Sequence, residues 1–331
     1  MQMMELNMEW IADVDGRLPG YKGGLLRGAM GYALRQRFCM QDFNNSCKRC
    51  ENRPQCQYAL FFEPMATDSA SGEVLAGSGF TDAARPFVFE IQDFRRHFKV
   101  GDRFKFSLRL LGMELAILQV IADVFTDMSE MGLGKSRIPG SFSINNVKLS
   151  HKHDLHPLVS ANRISLRDAL EPLQSTLFTN PQSLTLRFLT WTVLKANGSV
   201  LHHFEKDVFA KAVLRRFRQL IALYGEENEY SLFMNDYDKL LQAWRHVVVG
   251  YDHTEFRKWG RTSTRQRQTY EVEGFTGTVK LQHVPTVWIP FLEWSEWLHV
   301  GKGATFGLGA MRIQQMGSKQ HQHESFLDNI T

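Results

Sequence analysis

Residues 297–309 read WLHVGKGATFGLG, with four glycines, one lysine and one histidine in thirteen positions. Glycine at this density brings backbone close to another group, often a phosphate. The order of residues excludes two common phosphate loops. A nucleotide P-loop needs Gly, four residues, then Gly-Lys-Ser/Thr. Here Glu296 stands where the first glycine belongs, and Gly303 follows Lys302 where a hydroxyl is required. A dinucleotide fingerprint needs G-x-G-x-x-G. Phe306 takes the third position after Gly301 and Gly303, and Arg312 takes it after Gly307 and Gly309. The flanks are also inverted. VWIPFLEWSEWL (287–298) carries apolar residues at helical spacing, and FGLGAMRIQQ (306–315) alternates like a strand. The loop therefore runs from a helix into a strand.

Working outward, the same layout occurs twice. In the first half MELNMEWIADV (4–14) alternates like a strand, and YKGGLLRGAMGYALRQRF (21–38) reads as a helix. Strand-like FVFEIQ (87–92) and RFKFSLRLLG (103–112) follow, then the apolar helix MELAILQVIADVFTDM (113–128), the turn GLGKSR (132–137) and strand-like FSINNVKLS (142–150). The second half repeats the order with LTLRFLTWTVL (184–194), a helix over 204–225 and an added helix over 231–249. Two strands are expected within 256–282, joined through EGFTGT (273–278), before the last helix, the glycine loop and the last strand. Both halves read β-α-β-β-α-β, so the expected fold is α+β, a tandem of ferredoxin-like domains. Gly132-Leu-Gly134-Lys135 of the first half corresponds in position to Gly301-Lys302-Gly303 of the second. The expected domains are 1–155, with an insertion at 39–56, and 156–315, with the glycine loop at 301–309. The polar stretch 150–163 marks the boundary, and 316–331 is a polar tail.

The bulk numbers are those of a globular protein: 331 residues, 43% hydrophobic and 22% charged, with a net charge of +4. The longest apolar stretch contains Glu114 and Asp123, so no membrane span is expected. The opening MQMMELNMEW lacks a basic start and a cleavage site, which predicts a cytoplasmic protein. Charge is unevenly placed. KAVLRRFRQ (211–219) and RKWGRTSTRQRQ (257–268) carry Lys and Arg with no acid. Each is either a solvated surface or a phosphate-binding face. In the second run Arg261, Ser263, Arg265 and Arg267 would share one face of a strand.

All four cysteines fall in one window, Cys39-x7-Cys47-x2-Cys50-x5-Cys56, with polar residues between them. Such a segment has no core of its own, and a cytoplasmic chain should not hold structural disulfides. Four thiolates on one zinc would explain both facts, with an iron–sulfur cluster as the alternative metal group and four unrelated thiols as the plain reading.

These residues resemble a known family. WLHVGKGATFGLGAMRI is similar to the C-terminal glycine-rich motif of the CRISPR precursor-RNA processing endoribonucleases, members of the repeat-associated (RAMP) superfamily. YKGGLLRGAMGYALR with the spaced cysteines and LFFEP is similar to the N-terminal region of one branch. GLGKSRIPGSFSINNV and RTSTRQRQTYEVEGFTGTV resemble its internal turn and the segment before the final motif. The resemblance implies binding of CRISPR repeat RNA and one cut per repeat without a metal ion. The 2′-hydroxyl beside the scissile bond would attack the phosphate, giving a 2′,3′-cyclic phosphate and a 5′-hydroxyl. A CRISPR effector complex is a further partner it allows, with a catalytically silent RNA-binding subunit as the other reading. One departure is clear. Relatives carry a catalytic histidine on or just after the first helix, and this chain has none before His97. Tyr21, Lys22, Arg27 and Arg35 are the polar residues left there.

Metal-free RNA cleavage needs a base, an acid and a cation for the phosphorane. His299, two residues before Gly301, is the candidate proton carrier, or else a helix cap. Lys302 and Arg27 are the candidate cations. Gly301, Gly303, Gly307, Gly309, Arg261, Arg265, Arg267 and Lys135 are the expected RNA contacts.

Overall fold

Alternation builds the first strand. In the computed structural model, which describes residues 3–40, 47–65, 83–134, 140–150, 182–225, 227–263 and 268–315, Met4, Leu6, Met8 and Trp10 are buried along one face of β1 (Met3–Ala12). Helix α1 (Gly23–Phe38) buries Leu26, Met30, Ala33 and Leu34, one helical stripe. A Cβ on Gly31 would lie 2.8 Å from the Phe62 ring, so glycine lets α1 pack closely on the short helix α2 (Gln57–Phe62). Then come β2 (Phe87–Glu90), β3 (Arg103–Leu111), α3 (Ile117–Met131) and β4 (Phe142–Ser150). Ile121, Val124, Phe125 and Met128 of α3 face the sheet's core, where Trp10 meets Phe106 and Phe125 edge-on. The sheet is antiparallel in the order β2-β3-β1-β4. A two-residue ladder pairs Gly16–Arg17 with His97–Phe98.

The second unit uses the same permutation. Its elements are β5 (Gln182–Thr192), α4 (Lys206–Tyr224), α5 (Glu227–Trp244), β6 (Val248–Ser263), β7 (Gln268–Val284), α6 (Ile289–Leu298) and β8 (Met311–Gln315). The sheet order is β6-β7-β5-β8, again antiparallel. Its core gathers Phe188, Phe204, Phe209 and Phe275. The chain divides into two compact units, each of them ferredoxin-like. No helix among the described residues is long and apolar enough to cross a membrane.

One expectation is corrected. EGFTGT is not a turn but lies inside β7. Gly274 is there because a Cβ would sit 2.8 Å from the Thr192 carbonyl oxygen, and Gly277, at φ +124°, because a Cβ would run into the His253 carbonyl oxygen. Both glycines mark close backbone approach within a sheet rather than a reversal. The hairpin closes instead between the paired Ser263 and Gln268. Strand β6 also begins at Val248, in residues expected to end a helix.

Candidate functional site

The glycine loop is fastened to the end of β5 by main-chain hydrogen bonds. Gly309 N–H donates to the Trp191 carbonyl (3.0 Å), Lys302 N–H to that of Val193 (3.0 Å), and Val300 N–H to that of Gly309 (3.0 Å). The Thr190 hydroxyl donates to the Gly307 carbonyl (2.9 Å) and accepts from Ala310 N–H (3.0 Å). Inside the loop Phe306 N–H donates to the Gly303 carbonyl (2.8 Å). This explains the glycines locally. Gly301, Gly303, Gly307 and Gly309 all have φ between +72° and +90°, a region costly for other residues. A Cβ on Gly301 would lie 2.6 Å from the Val193 carbonyl oxygen, one on Gly303 2.7 Å from Leu308, and one on Gly309 would overlap the Val300 carbonyl oxygen. The protein's own backbone thus demands these glycines. Lys302 alone among the loop's charged groups is exposed.

His299 ends α6 at φ +56°, with its N–H donated to the Ser295 carbonyl at 3.0 Å. Its ring is fully buried, and Nδ1 lies 3.2 Å from the Leu308 carbonyl oxygen. A carbonyl only accepts, so Nδ1 carries the proton. The contact ties the helix end to the far side of the loop. A ring with no exposed surface is placed to hold the loop rather than to meet a substrate.

At the start of α1 the polar candidates separate. Tyr21 is fully buried, its hydroxyl pushed up by burial and further by the Glu90 charge. Lys22 is also fully buried. Its Nζ donates to the carbonyls of Arg95 (2.7 Å), Asp93 (2.8 Å) and Gly20 (3.2 Å), with the Asp93 carboxylate 3.6 Å away. The Phe98 and Phe104 rings flank it at 5.4 and 5.6 Å. Burial lowers its pKa to about 8 against the opposing pull of Asp93. Lys22 therefore ties the 93–95 segment to the helix start. Arg35 is buried over Tyr58, whereas half-buried Arg27 lies 4.9 Å over Phe62. Tyr32, which the sequence reading passed over, is 39% exposed on the same helix.

The glycine turn of the first unit is present, with Gly132 at φ +76° and Gly134 at +96°, the latter against Leu18 and the Arg17 carbonyl. Lys135 lies outside the described residues, as do Arg265 and Arg267. Arg261 sits in β6 opposite Tyr270. The expected row over Arg261, Ser263, Arg265 and Arg267 therefore lies partly outside the described residues.

The four cysteines lie between α1 and α2, each half-buried. Cys39 follows α1, and Cys56 precedes α2 with its Sγ 3.9 Å from the Phe38 carbonyl oxygen. Burial pushes the Cys47 thiol up first, then the Glu63 charge, with Cys39 and Cys56 adding in the same direction. The donor set suits zinc or an iron–sulfur cluster. Yet among the described residues no three His, Cys, Asp or Glu side chains stand where they could hold one ion. The thiols share a segment without converging on a point.

Each of the two ferredoxin-like units carries a glycine turn before its last strand. Residues 1–171 match the AF_1859_N family, an N-terminal domain, and residues 186–311 match the CRISPR-associated endoribonuclease Cas6 family. The chain belongs to the AF_1859_N family through its N-terminal half. It is similar in fold to a chain of a partial Cas6-RT-Cas1–Cas2 complex (TM-score 0.54, 11% identity, 97% of this chain and 47% of that one). It is also similar to a Cas6 (TTHB231) product complex (0.52, 14%, 94% and 100%) and to Thermus thermophilus Cas6 (TTHB231) (0.50, 12%, 95% and 98%). The chain spans less than half the length of the chain it matches in that complex. No curated protein matches it.

Proposed function

We propose that the protein is an endoribonuclease that binds the repeat RNA of a CRISPR transcript and cuts within each repeat. The observation that carries this reading is the match of residues 186–311, most of the glycine loop's sheet included, to the Cas6 endoribonuclease family. The chemistry assigned is metal-independent. The 2′-hydroxyl loses its proton and attacks the adjacent phosphorus while the bond to the 5′-oxygen breaks and that oxygen takes up a proton. The ends are a 2′,3′-cyclic phosphate and a 5′-hydroxyl. Lys302, exposed on the loop, stabilises the charge on the phosphorane, with Arg27 as the alternative cation for that role. His299, buried behind the loop, is assigned to holding it in place. The phenol of Tyr32, 39% exposed on α1, is assigned as a candidate proton carrier. The four cysteines are assigned a structural metal apart from this chemistry.

A second reading, a catalytically inactive RNA-binding subunit of a CRISPR effector complex, is favoured by the burial of His299, Tyr21 and Lys22, which removes three titratable groups from reach. Incubation with the cognate repeat RNA in EDTA separates the two. A single cut whose 3′ phosphate resists phosphatase until opened by acid supports the enzyme. Binding without a cut selects the subunit, and absence of binding overturns both.

A further inference from the structure

On the face of the second unit's sheet opposite the Phe188–Phe275 core, Trp191 of β5 and Trp259 of β6 meet with ring centroids 5.5 Å apart and planes 33° from parallel. These strands are not neighbours, because β7 runs between them. Two strand spacings separate their backbones by about 10 Å. On β7, Val272 pairs with Trp259 and Phe275 with Thr192, the neighbour of Trp191, so Gly274, paired with Arg257, lies on the diagonal between the two indoles. The two indoles meet across the middle strand. The alternation of β6 puts Trp259 and Arg257 on this face, since Phe256 opposes the core residue Phe275.

Three features give this pair a chemical character. Trp191 is buried, whereas Trp259 is only half-buried, so the indole pair reaches the surface on the ribbon side. Arg257 stands two residues away; its Nη2 meets Glu255 at 3.0 Å, while its Nε, though buried, has no hydrogen-bond partner among the described residues. The main chain at 191–193 accepts the hydrogen bonds that fix Gly309 and Lys302. The platform and the loop's cation therefore share one anchor.

We propose that Trp259, backed by Trp191, is a stacking platform for one unpaired RNA base, with the Arg257 guanidinium engaging that nucleotide's backbone or base edge. Aromatic faces take any base, and a guanidinium beside them suits nucleotide chemistry better than an apolar protein partner. The proposal rests on the RNA-binding reading above.

Repeat RNAs carrying a single abasic nucleotide, walked along the sequence, test it by equilibrium binding to the wild type and to Trp259→Ala. One position should weaken wild-type binding by about 5- to 100-fold and cost nothing further in Trp259→Ala. Trp259→Phe should restore most of the affinity. Equal losses at every position in both proteins, or no sensitive position, would overturn the platform. A wild type that does not bind the intact repeat would overturn the RNA reading itself. Should Trp259→Ala fail to fold, the walk on the wild type and on Arg257→Ala still decides: the sensitive position must be one whose abasic loss shrinks in that variant.

Discussion

At the residue scale the decisive side chain is His299. A proton carrier must reach its substrate, and this ring has no exposed surface. Its contact with the Leu308 carbonyl instead closes the glycine loop. His299→Ala should cost about 1–3 kcal/mol of stability, the usual cost of leaving a buried polar group unsatisfied, and should lower cleavage through a loosened loop. His299→Asn keeps a donor near Nδ1 and suits a positive φ. It should retain cleavage within about tenfold of wild type, whereas a true acid or base would lose roughly 10²–10⁴-fold. Single-turnover rates on both variants decide. Lys22 gives a second prediction. Its proton leaves at about 8 in the folded protein, against an ordinary value of 10.5. Between those values the unfolded chain binds more protons, so the Lys22 contribution makes stability rise with pH across that window. The gain is of order 3 kcal/mol. The buried Tyr21 hydroxyl, pushed up, acts oppositely above pH 10. Denaturant unfolding of the wild type and Lys22→Met from pH 7.5 to 10 should show the wild type gaining on the variant; parallel curves would remove the effect.

At the element scale, glycines that look alike in sequence do different work. Those at 301–309 shape a loop, those in EGFTGT let strands press together, and Gly31 lets two helices touch. Only the neighbouring backbone tells these cases apart. The segment between α1 and α2 raises the metal question in the same terms. Its cysteines have the composition of a closed four-thiolate site but not, among the described residues, the convergence. We expect purified protein to carry about one zinc per chain, as such a site requires. Elemental analysis without added metal checks this. A brown protein containing iron would assign a cluster, and metal-free protein would return the four thiols to separate roles.

At the scale of the whole molecule, a net charge of +4 is too small to draw RNA by itself. Affinity must come from local contacts such as Lys302. Binding of repeat RNA should still weaken linearly on a log–log plot with salt, and Lys302→Ala should reduce the slope by roughly 0.7, one single-strand phosphate contact. Titrations at four or more salt concentrations measure both slopes. A slope unchanged in the variant would take Lys302 off the phosphate.

The sequence by itself determined the repeated βαββαβ order, the helix-to-strand course of the glycine loop and the position of the matching turn at 132–134. These are written in alternation, helical spacing and glycine placement, which are local properties of the chain. It misplaced the β6–β7 hairpin, because EGFTGT shows the composition of a turn while the reason for its glycines is the Thr192 and His253 backbone of other strands. It offered His299 as a proton carrier or a helix cap, and Tyr21 and Lys22 among the polar candidates, without deciding their burial, because burial is set by what packs on top and not by residue type. The Trp191–Trp259 contact was invisible for a related reason: two residues 68 positions apart, on strands that do not pair, meet only because the sheet order sets their strands either side of β7.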